Sequence, residues 1–277
     1  MTPYDKKELL IDIETAPNIG LFWGAGWKKT ISTEDIIWER QMICASWKWR
    51  GEKKVHNMTW TPKVIKKTIE VNGKKYTGYE LDFCDKKLVK TLIKVLDQAD
   101  EIIYQNGDRF DLPWIRARAL YHRLEMRPTY RTFDTLKKSR GNFYLNSHRL
   151  DYRRKYCGGT GKIKTEYEWW KRIRLDNDQK LLAKMVRYCD KDVLELEKDY
   201  ETILPYVTPN THTGVIKGFA KWTCPYCGGH DVRRKVENVT AAGTVRHSMY
   251  CKKGHHYTIS DATYRQFLKE RSKKKGK

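Results

Sequence analysis

Residues 8–14 read ELLIDIE. Leu9, Leu10 and Ile11 form an apolar run that continues directly into Asp12, Ile13 and Glu14, the pattern of a strand buried at the centre of a sheet. Side chains alternate faces along a strand, so Asp12 and Glu14 point the same way. Two like charges side by side on an apolar strand repel each other, and buried carboxylates need cations. Hard divalent ions that prefer oxygen ligands, Mg2+ or Mn2+, resolve that repulsion.

The next segments of the chain alternate between strand and helix. Residues 41–50 (QMICASWKWR) and 54–61 (KVHNMTWT) are rich in β-branched and aromatic residues, with Gly51 at a turn between them. Residues 85–99 place Leu88, Leu92, Val95 and Leu96 on one helical face. Residues 101–106 form a short apolar strand. Residues 112–124 read as a helix with Pro113 in its first turn, where the missing N–H costs nothing. Residues 130–136 supply a fifth strand, and 179–204 a long helix that stops at Pro205. Strands followed by helices that return to a sheet predict an α/β domain.

Composition narrows the function classes. The 277 residues carry 56 Lys and Arg against 34 Asp and Glu, a formal net charge of +22 that calls for a polyanionic partner. No run of eighteen or more apolar residues predicts a membrane span, and the opening MTPYDKKELLID lacks a signal peptide. Seven cysteines, an odd number, do not form a secreted disulfide framework. The expectation is an intracellular, cytoplasmic protein without membrane attachment. Residues 1–206 are expected to form the α/β domain, 207–220 (rich in Thr, Pro and Gly) a linker, 221–262 a small module and 263–277 a basic tail too charged to fold alone.

Two further acidic residues join the first pair. Asp111 sits in NGDRFD, just past the strand at 101–106, and Asp192 sits in YCDKD on the long helix, with Tyr188 four residues earlier on the same face. Asp111 alone reads as a helix cap, and Asp192 alone as a solvated charge. Asp190 lies two residues from Tyr188 and has no special claim. Asp134, in FDT, reads as a cap for the segment after it.

Taken together and in this order, the motifs resemble those of a known family. DIETAPN is similar to the D-x-E motif of the DEDD 3′–5′ exonucleases, NGDRFD to their second motif, and YCDKD to the third in its tyrosine form. The resemblance covers residues 7–206, and TAPNIGLFWG and SHRLDYRRKYCG further resemble stand-alone, phage-type members. It implies a ribonuclease-H-like mixed five-stranded sheet flanked by helices, as in DnaQ-like proteins and family B polymerase exonuclease domains. It also implies that Asp12, Glu14, Asp111 and Asp192 hold two Mg2+ or Mn2+ ions about 4 Å apart, with Asp12 bridging them and Glu14 nearest the attacked phosphate. Tyr188 would orient the attacking water, and Asn106 would contact substrate or support the site. The implied activity is hydrolysis of terminal phosphodiesters, with DNA favoured over RNA. The alternatives are an exoribonuclease or structure-selective nuclease on the same scaffold, or a nucleic-acid-binding protein without catalysis. A partner protein from replication or recombination stays open.

Residues 137–174 hold twelve Lys and Arg against three acids, interleaved with glycines and two tryptophans. Arg153, Arg154, Lys162, Lys164 and Trp169 are the candidates for phosphate contacts and base stacking. The competing reading is a solvated loop with Trp169 and Trp170 packed on the core. Lys162 follows Gly161, but Ile163 stands where a phosphate-binding loop needs Ser or Thr.

The C-terminal part carries CPYC, with Cys224 and Cys227 on one knuckle, and YCKKGHHY, with Cys251. The pattern resembles a zinc ribbon, a fold in which two knuckles clamp one Zn2+. Gly254 stands where a second cysteine pair would close, so His255, or alternatively His256, supplies the fourth ligand, with His247 an outside candidate. The competing reading is three unrelated cysteines. Residues 221–277 hold fourteen Lys or Arg and four acids, which favours nucleic-acid binding, with protein docking as the alternative. Cys44, Cys84, Cys157 and Cys189 read as structural.

Overall fold

The computed structural model describes residues 6–22, 31–160 and 165–275. Five strands form the main sheet: β1 (Glu8–Thr15), β4 (Met42–Trp49), β5 (His56–Thr59), β8 (Glu101–Tyr104) and β9 (Thr132–Asp134). Their order is β5-β4-β1-β8-β9, so the strand bearing Asp12 and Glu14 is central. β4 and β5 run antiparallel, and β8 and β9 parallel, to the neighbour on their β1 side. Two minor strands, β2 (Ile19–Gly20) and β3 (Ile36–Trp38), pair outside this sheet.

β1 is buried on both faces, and its parity decides where the carboxylates point. Leu9, Ile11 and Ile13 pack with α1 (Lys86–Leu96) and α2 (Asp111–Tyr121) through Leu88, Leu92, Leu112 and Ile115. Leu10 packs on the opposite side with Val193, Leu196 and Tyr200 of α6 (Gln179–Ile203). Asp12 and Glu14 share the parity of Leu10 and so face α6. The Asp178 carboxylate caps α6, accepting hydrogen bonds from the backbone N–H groups of Lys180 and Leu181 at 3.0 Å each. Each fully buried side chain of this core stabilises by about 1.5–3 kcal/mol.

Beneath α1, the Asp85 carboxylate is fully buried and accepts from Arg118 Nε at 2.7 Å and Arg118 Nη2 at 2.8 Å. It also lies 2.6 Å from His122 Nε2 and accepts from the Met42 N–H. These bonds tie β4, α1 and α2 together.

α3 (Thr135–Asn142), α4 (Leu150–Tyr156) and α5 (Tyr167–Leu175) lie between β9 and α6 in the chain. Asp134 caps α3 as expected, accepting from the N–H groups of Leu136 and Lys137. A feature that the sequence pattern does not announce is a hairpin of two eleven-residue strands, β6 (Thr61–Val71) and β7 (Lys74–Cys84). Asn72 and Gly73 make its two-residue turn at φ 52° and 77°, the left-handed pair such turns require. Trp60 and Phe83 stack at its base, 4.2 Å between ring centroids.

The C-terminal module is a three-stranded antiparallel sheet, β10 (Val232–Val239), β11 (Val245–Cys251) and β12 (His256–Ser260), followed by α8 (Asp261–Lys275). The segment expected to be a basic tail is therefore helical. It folds on the module: Phe267 is buried 5.3 Å from the Trp222 ring, and Trp222 Nε1 donates to Glu270 Oε2. The expected linker is anchored at both ends. Asn210 Nδ2 donates to the Thr132 carbonyl at 2.7 Å, and the Tyr226 hydroxyl to the Val207 carbonyl. The Thr213 N–H donates to the Pro225 carbonyl, within the short α7 (Thr213–Ile216). Among the described residues, no helix is long and apolar enough to cross a membrane.

Candidate functional site

β1 presents Asp12 opposite Ser46 and Glu14 opposite Cys44 of β4, with a register shift directly after Glu14. α6 lies across that face. Cys189 Sγ lies 3.4 Å from both the Asp12 carbonyl oxygen and Asp12 Oδ2. Cys189 also hydrogen-bonds Cys44, and its thiol is pushed well above the ordinary range by burial, by that bond and by the Asp12 carboxylate. Cys189, read from the sequence as structural, thus lies against the first carboxylate.

One turn of α6 carries Tyr188 and Asp192, as the spacing predicts. Asp192 is buried, and the Tyr188 hydroxyl hydrogen-bonds its carboxylate. The phenol pKa is raised by burial first, then by the charges of Asp192, Glu14 and Asp12. Tyr188 is therefore held protonated, within the field of three of the predicted site carboxylates. Asp190 turns away and anchors the helix, accepting from Ser46 Oγ at 2.7 Å and from Asn57 Nδ2 at 3.0 Å. It is an anchor whose partners lie 144 and 133 residues away, which sequence spacing does not reveal.

The fourth carboxylate arrives from the other side of β1. The chain leaves β8 through Asn106, at φ 65°, and Gly107. A Cβ on Gly107 would lie 2.1 Å from Cγ of the Tyr104 ring, so only glycine fits there. The Asp134 carboxylate accepts from the N–H groups of Asn106 at 3.0 Å and Asp108 at 3.2 Å, fixing the loop. This delivers Asp111 as the first residue of α2, with Phe110 in the cap position, so Asp111 is not the cap. Asp111 is only 3 % exposed. Its carboxyl pKa is raised well above the ordinary range by burial and by the neighbouring Asp12, against hydrogen bonds from the N–H groups of Asp111 and Ile13. Its Oδ1 is buried with no hydrogen-bond partner among the described residues. Three elements thus converge: β1 with two carboxylates, α2 with one, and α6 with one plus a phenol.

This donor set is all oxygen and has an excess of negative charge, which fits hard divalent cations. Among the described residues, the acidic set does not close to the point where all ligand atoms lie within 4.8 Å; the Cys/His group of the C-terminal module does.

The Cys/His group consists of Cys224, Cys227, Cys251 and His255. Cys224 Sγ lies 3.6 Å and Cys251 Sγ 3.4 Å from His255 Nδ1, and Cys227 Sγ lies 3.9 Å from Cys251 Sγ. His255 therefore occupies the fourth position. His256 is exposed on β12, outside the group. His247 is buried elsewhere, with Nε2 3.0 Å from Asp261 Oδ1. Burial lowers the His255 pKa, assisted by the charge of Lys253, which favours the neutral imidazole a metal requires.

The basic segment differs from expectation. Arg153 is buried, its Nε 3.0 Å and Nη2 2.5 Å from the Asp199 carboxylate, and Nη2 also reaches Gln105. Arg154 is buried with Nε 2.8 Å from Glu195. Both guanidinium groups bind α4 to α6 and are not available to phosphates. Trp169 packs partly on the core beside Leu181 and Met185, with Lys184 Nζ 6.0 Å above its ring. Lys162 and Lys164 lie outside the described residues.

The RNase_H superfamily profile matches residues 70–204, which include Asp111, Tyr188 and Asp192. The sheet order and flanking helices are those of a ribonuclease-H-like α/β fold. Among solved structures, the family B DNA polymerase from the hyperthermophilic archaeon Pyrobaculum calidifontis is similar, at 15 % identity and a TM-score of 0.46. That match covers 73 % of this chain and 25 % of the polymerase, so the chain spans a quarter of its length. No curated protein matches.

Proposed function

We propose that the chain is a metal-dependent nuclease that shortens a nucleic-acid strand, DNA in preference to RNA, from its 3′ end. The observation that carries this reading is the meeting of acids at Asp12: Asp111, whose buried Oδ1 has no hydrogen-bond partner among the described residues, lies in its field, and Tyr188 lies in the fields of Asp12, Glu14 and Asp192. The RNase H-like fold favours a nuclease, and the three ordered motifs favour the 3′–5′ direction.

The four carboxylates of Asp12, Glu14, Asp111 and Asp192 would hold two Mg2+ or Mn2+ ions. Such ions lower the pKa of a water and stabilise the departing oxygen of a phosphodiester. Asp111 and Asp12, which repel each other, lose that repulsion when a cation lies between them. Tyr188 retains its proton, so it orients the attacking water by a hydrogen bond and does not act as a base. Glu14 lies nearest the scissile phosphate, and Asn106 touches the substrate. In the C-terminal module one Zn2+, held by Cys224, Cys227, Cys251 and His255, would supply structure. The units would be a catalytic domain over 1–206, a joint over 207–220, a zinc ribbon over 221–262 and a terminal segment over 263–277.

The test is a 5′-labelled single strand incubated with Mg2+ or Mn2+, with DNA and RNA in parallel. A ladder of products shortened stepwise from the 3′ end is expected, and it should vanish in the Asp12→Ala, Asp192→Ala double variant. No products with either metal, or equal activity in the double variant, would sink the proposal.

A further inference from the structure

The sheet of the C-terminal module covers one face and opens the other. On β11, His247, Met249 and Cys251 are buried, with Met249 and Cys251 in the module core, whereas Arg246 and Ser248 alternate with them. Ser248 pairs across the sheet with Val236 and Thr258, and Arg246 with Asn238 and Ser260. The open face therefore carries the hydroxyls of Ser248, Thr258 and Ser260, the Asn238 amide, the Arg246 guanidinium and the exposed Val236. Residues 208–212 form a wall beside it. Lys138 Nζ holds the Thr208 carbonyl at 2.7 Å, Asn210 holds Thr132, and His212 Nε2 lies 3.1 Å from the Lys221 carbonyl.

Lys221, Lys235, Arg246 and His256 line the groove between wall and sheet, together with Ser248 and Thr258. Among the described residues, no carboxylate lines it. The acids nearby are engaged elsewhere: Asp261 with His247 and Arg265, Glu237 with Arg234, and Glu270 with Trp222. An ordinary solvated sheet face mixes both signs of charge, and this one has a single sign. Thr211, in the wall, has a buried Oγ1 with no hydrogen-bond partner among the described residues. Tyr226 and Tyr257 add aromatic surface to the lining.

We infer that this groove is a second nucleic-acid site, which binds the phosphodiester backbone of a strand through Lys221, Lys235 and Arg246, with the hydroxyls of Ser248 and Thr258 as further donors. Cations of one sign, concentrated in a concavity, bind phosphates without reading sequence. The inference rests on the nuclease reading for its biological sense, since the groove would retain a strand that the carboxylate site shortens.

The test uses the full chain, with Lys221→Ala, Lys235→Ala and Arg246→Ala combined. Binding of a fluorescein-labelled DNA single strand is followed by anisotropy, without added divalent ions, across a salt series. Each lost phosphate contact lowers the salt slope by about 0.7 for a single strand, so three should lower it by about 2 and weaken binding about fiftyfold at ~0.15 M salt. A control with Lys86, Lys87 and Lys90 of α1 changed to alanine should bind as the parent does. Ser248→Glu, which places a negative charge in the groove, should also weaken binding, and it carries the test if the triple variant loses its zinc. Unchanged affinity and slope in the triple variant, or in Ser248→Glu where the triple variant does not fold, overturns the inference. Displacement of the strand by polyglutamate as readily as by unlabelled DNA overturns it too. The two proposals fail separately. A protein that binds through the groove but shortens no strand rejects the nuclease alone, and one that shortens strands while the triple variant binds normally rejects the groove alone.

Discussion

Removing Cys224, a proposed zinc ligand, tests how the C-terminal module is held together. With Zn–S near 2.3 Å and Zn–N near 2.0 Å, a tetrahedral site has edges of about 3.8 Å between sulfurs and about 3.5 Å between sulfur and nitrogen. The corresponding separations here are 3.9 Å for Cys227–Cys251, 3.6 Å for Cys224–His255 and 3.4 Å for Cys251–His255, so the ion fits with shifts of a few tenths of an ångström. Apart from the cysteines, the fully buried module core consists of Trp222, Val232, Met249, Ile259 and Phe267. Five such side chains contribute about 8–15 kcal/mol gross. Structural zinc contributes about 10–16 kcal/mol at neutral pH, as much as the whole apolar core. A module of this size with so small an apolar core depends on its metal to fold. Cys224→Ser should therefore lose its zinc and its module, while the α/β domain keeps its own thermal transition. Elemental analysis, calorimetry and limited proteolysis read this directly. His256→Ala should keep one zinc per chain. One zinc per chain in purified Cys224→Ser, or a module that resists protease in strong chelator, would refute the reasoning. Because burial pushes the Cys224 thiol up, and the ion requires thiolates, zinc should be released as pH falls.

Tyr188→Phe should lower kcat about a hundredfold with KM little changed, since it removes only the hydroxyl that orients the attacking water; an unchanged kcat removes Tyr188 from the mechanism. Asp190→Asn, two residues away, should cost about 1–2 kcal/mol in urea unfolding through its bonds to Ser46 and Asn57, with kcat nearly unchanged. Asp85→Asn should destabilise by about 3–5 kcal/mol, because it leaves the buried Arg118 guanidinium without its carboxylate. Burial opposes the ionised form of Asp85, but the bonds from Arg118, His122 and the Met42 N–H prevail and hold its pKa below the ordinary value. Its contribution is therefore complete above the ordinary carboxylate value and lost as pH falls through the lower folded one. The gap between parent and Asp85→Asn in unfolding midpoint should close over that interval, and a constant gap contradicts it. Gly107→Ala should cost about 1–3 kcal/mol by forcing a methyl group into the Tyr104 ring, and should depress activity by displacing Asp111; a stable, fully active variant rejects that account of the loop.

Local patterns carried the parts of the fold that local patterns determine. The five strands of the main sheet and the helices α1, α2 and α6 follow from apolar periodicity within single segments. In sequence the β6–β7 hairpin interleaves lysines and other polar residues with its apolar ones, so no unbroken periodicity marks it, although Asn72-Gly73 is a turn signal. The terminal segment reads as unable to fold because its charge dominates, yet Phe267, Tyr264 and Glu270 give it a place on the module. Arg153 and Arg154 were misjudged for a different reason. A count of cations along the chain does not reveal that Asp199 and Glu195, 46 and 41 residues further on, meet these two across α4 and α6.

The candidate site shows why its acidic members were more legible than its neutral ones. On β1, strand parity alone sends Leu10, Asp12 and Glu14 to one face, and burial of Leu10 under α6 then fixes which helix must answer them. On α6, the four-residue spacing of Tyr188 and Asp192 puts phenol and carboxylate on one stripe. Cys189 sits between those two in sequence, and a strict stripe excludes it. The helix nevertheless lies flat on the sheet, and its contact surface spans Met185, Cys189, Asp192 and Val193, all buried. A surface that wide takes in Cys189 beside Asp12 as well as Asp192 beside Tyr188. The neutral thiols of Cys189 and Cys44 under the carboxylates suit a site of excess negative charge: they fill the space without adding a fixed cation. In the proposed reading, Mg2+ or Mn2+ would supply the charge that balances Asp12 and Asp111, which is why the activity is expected to require a divalent metal.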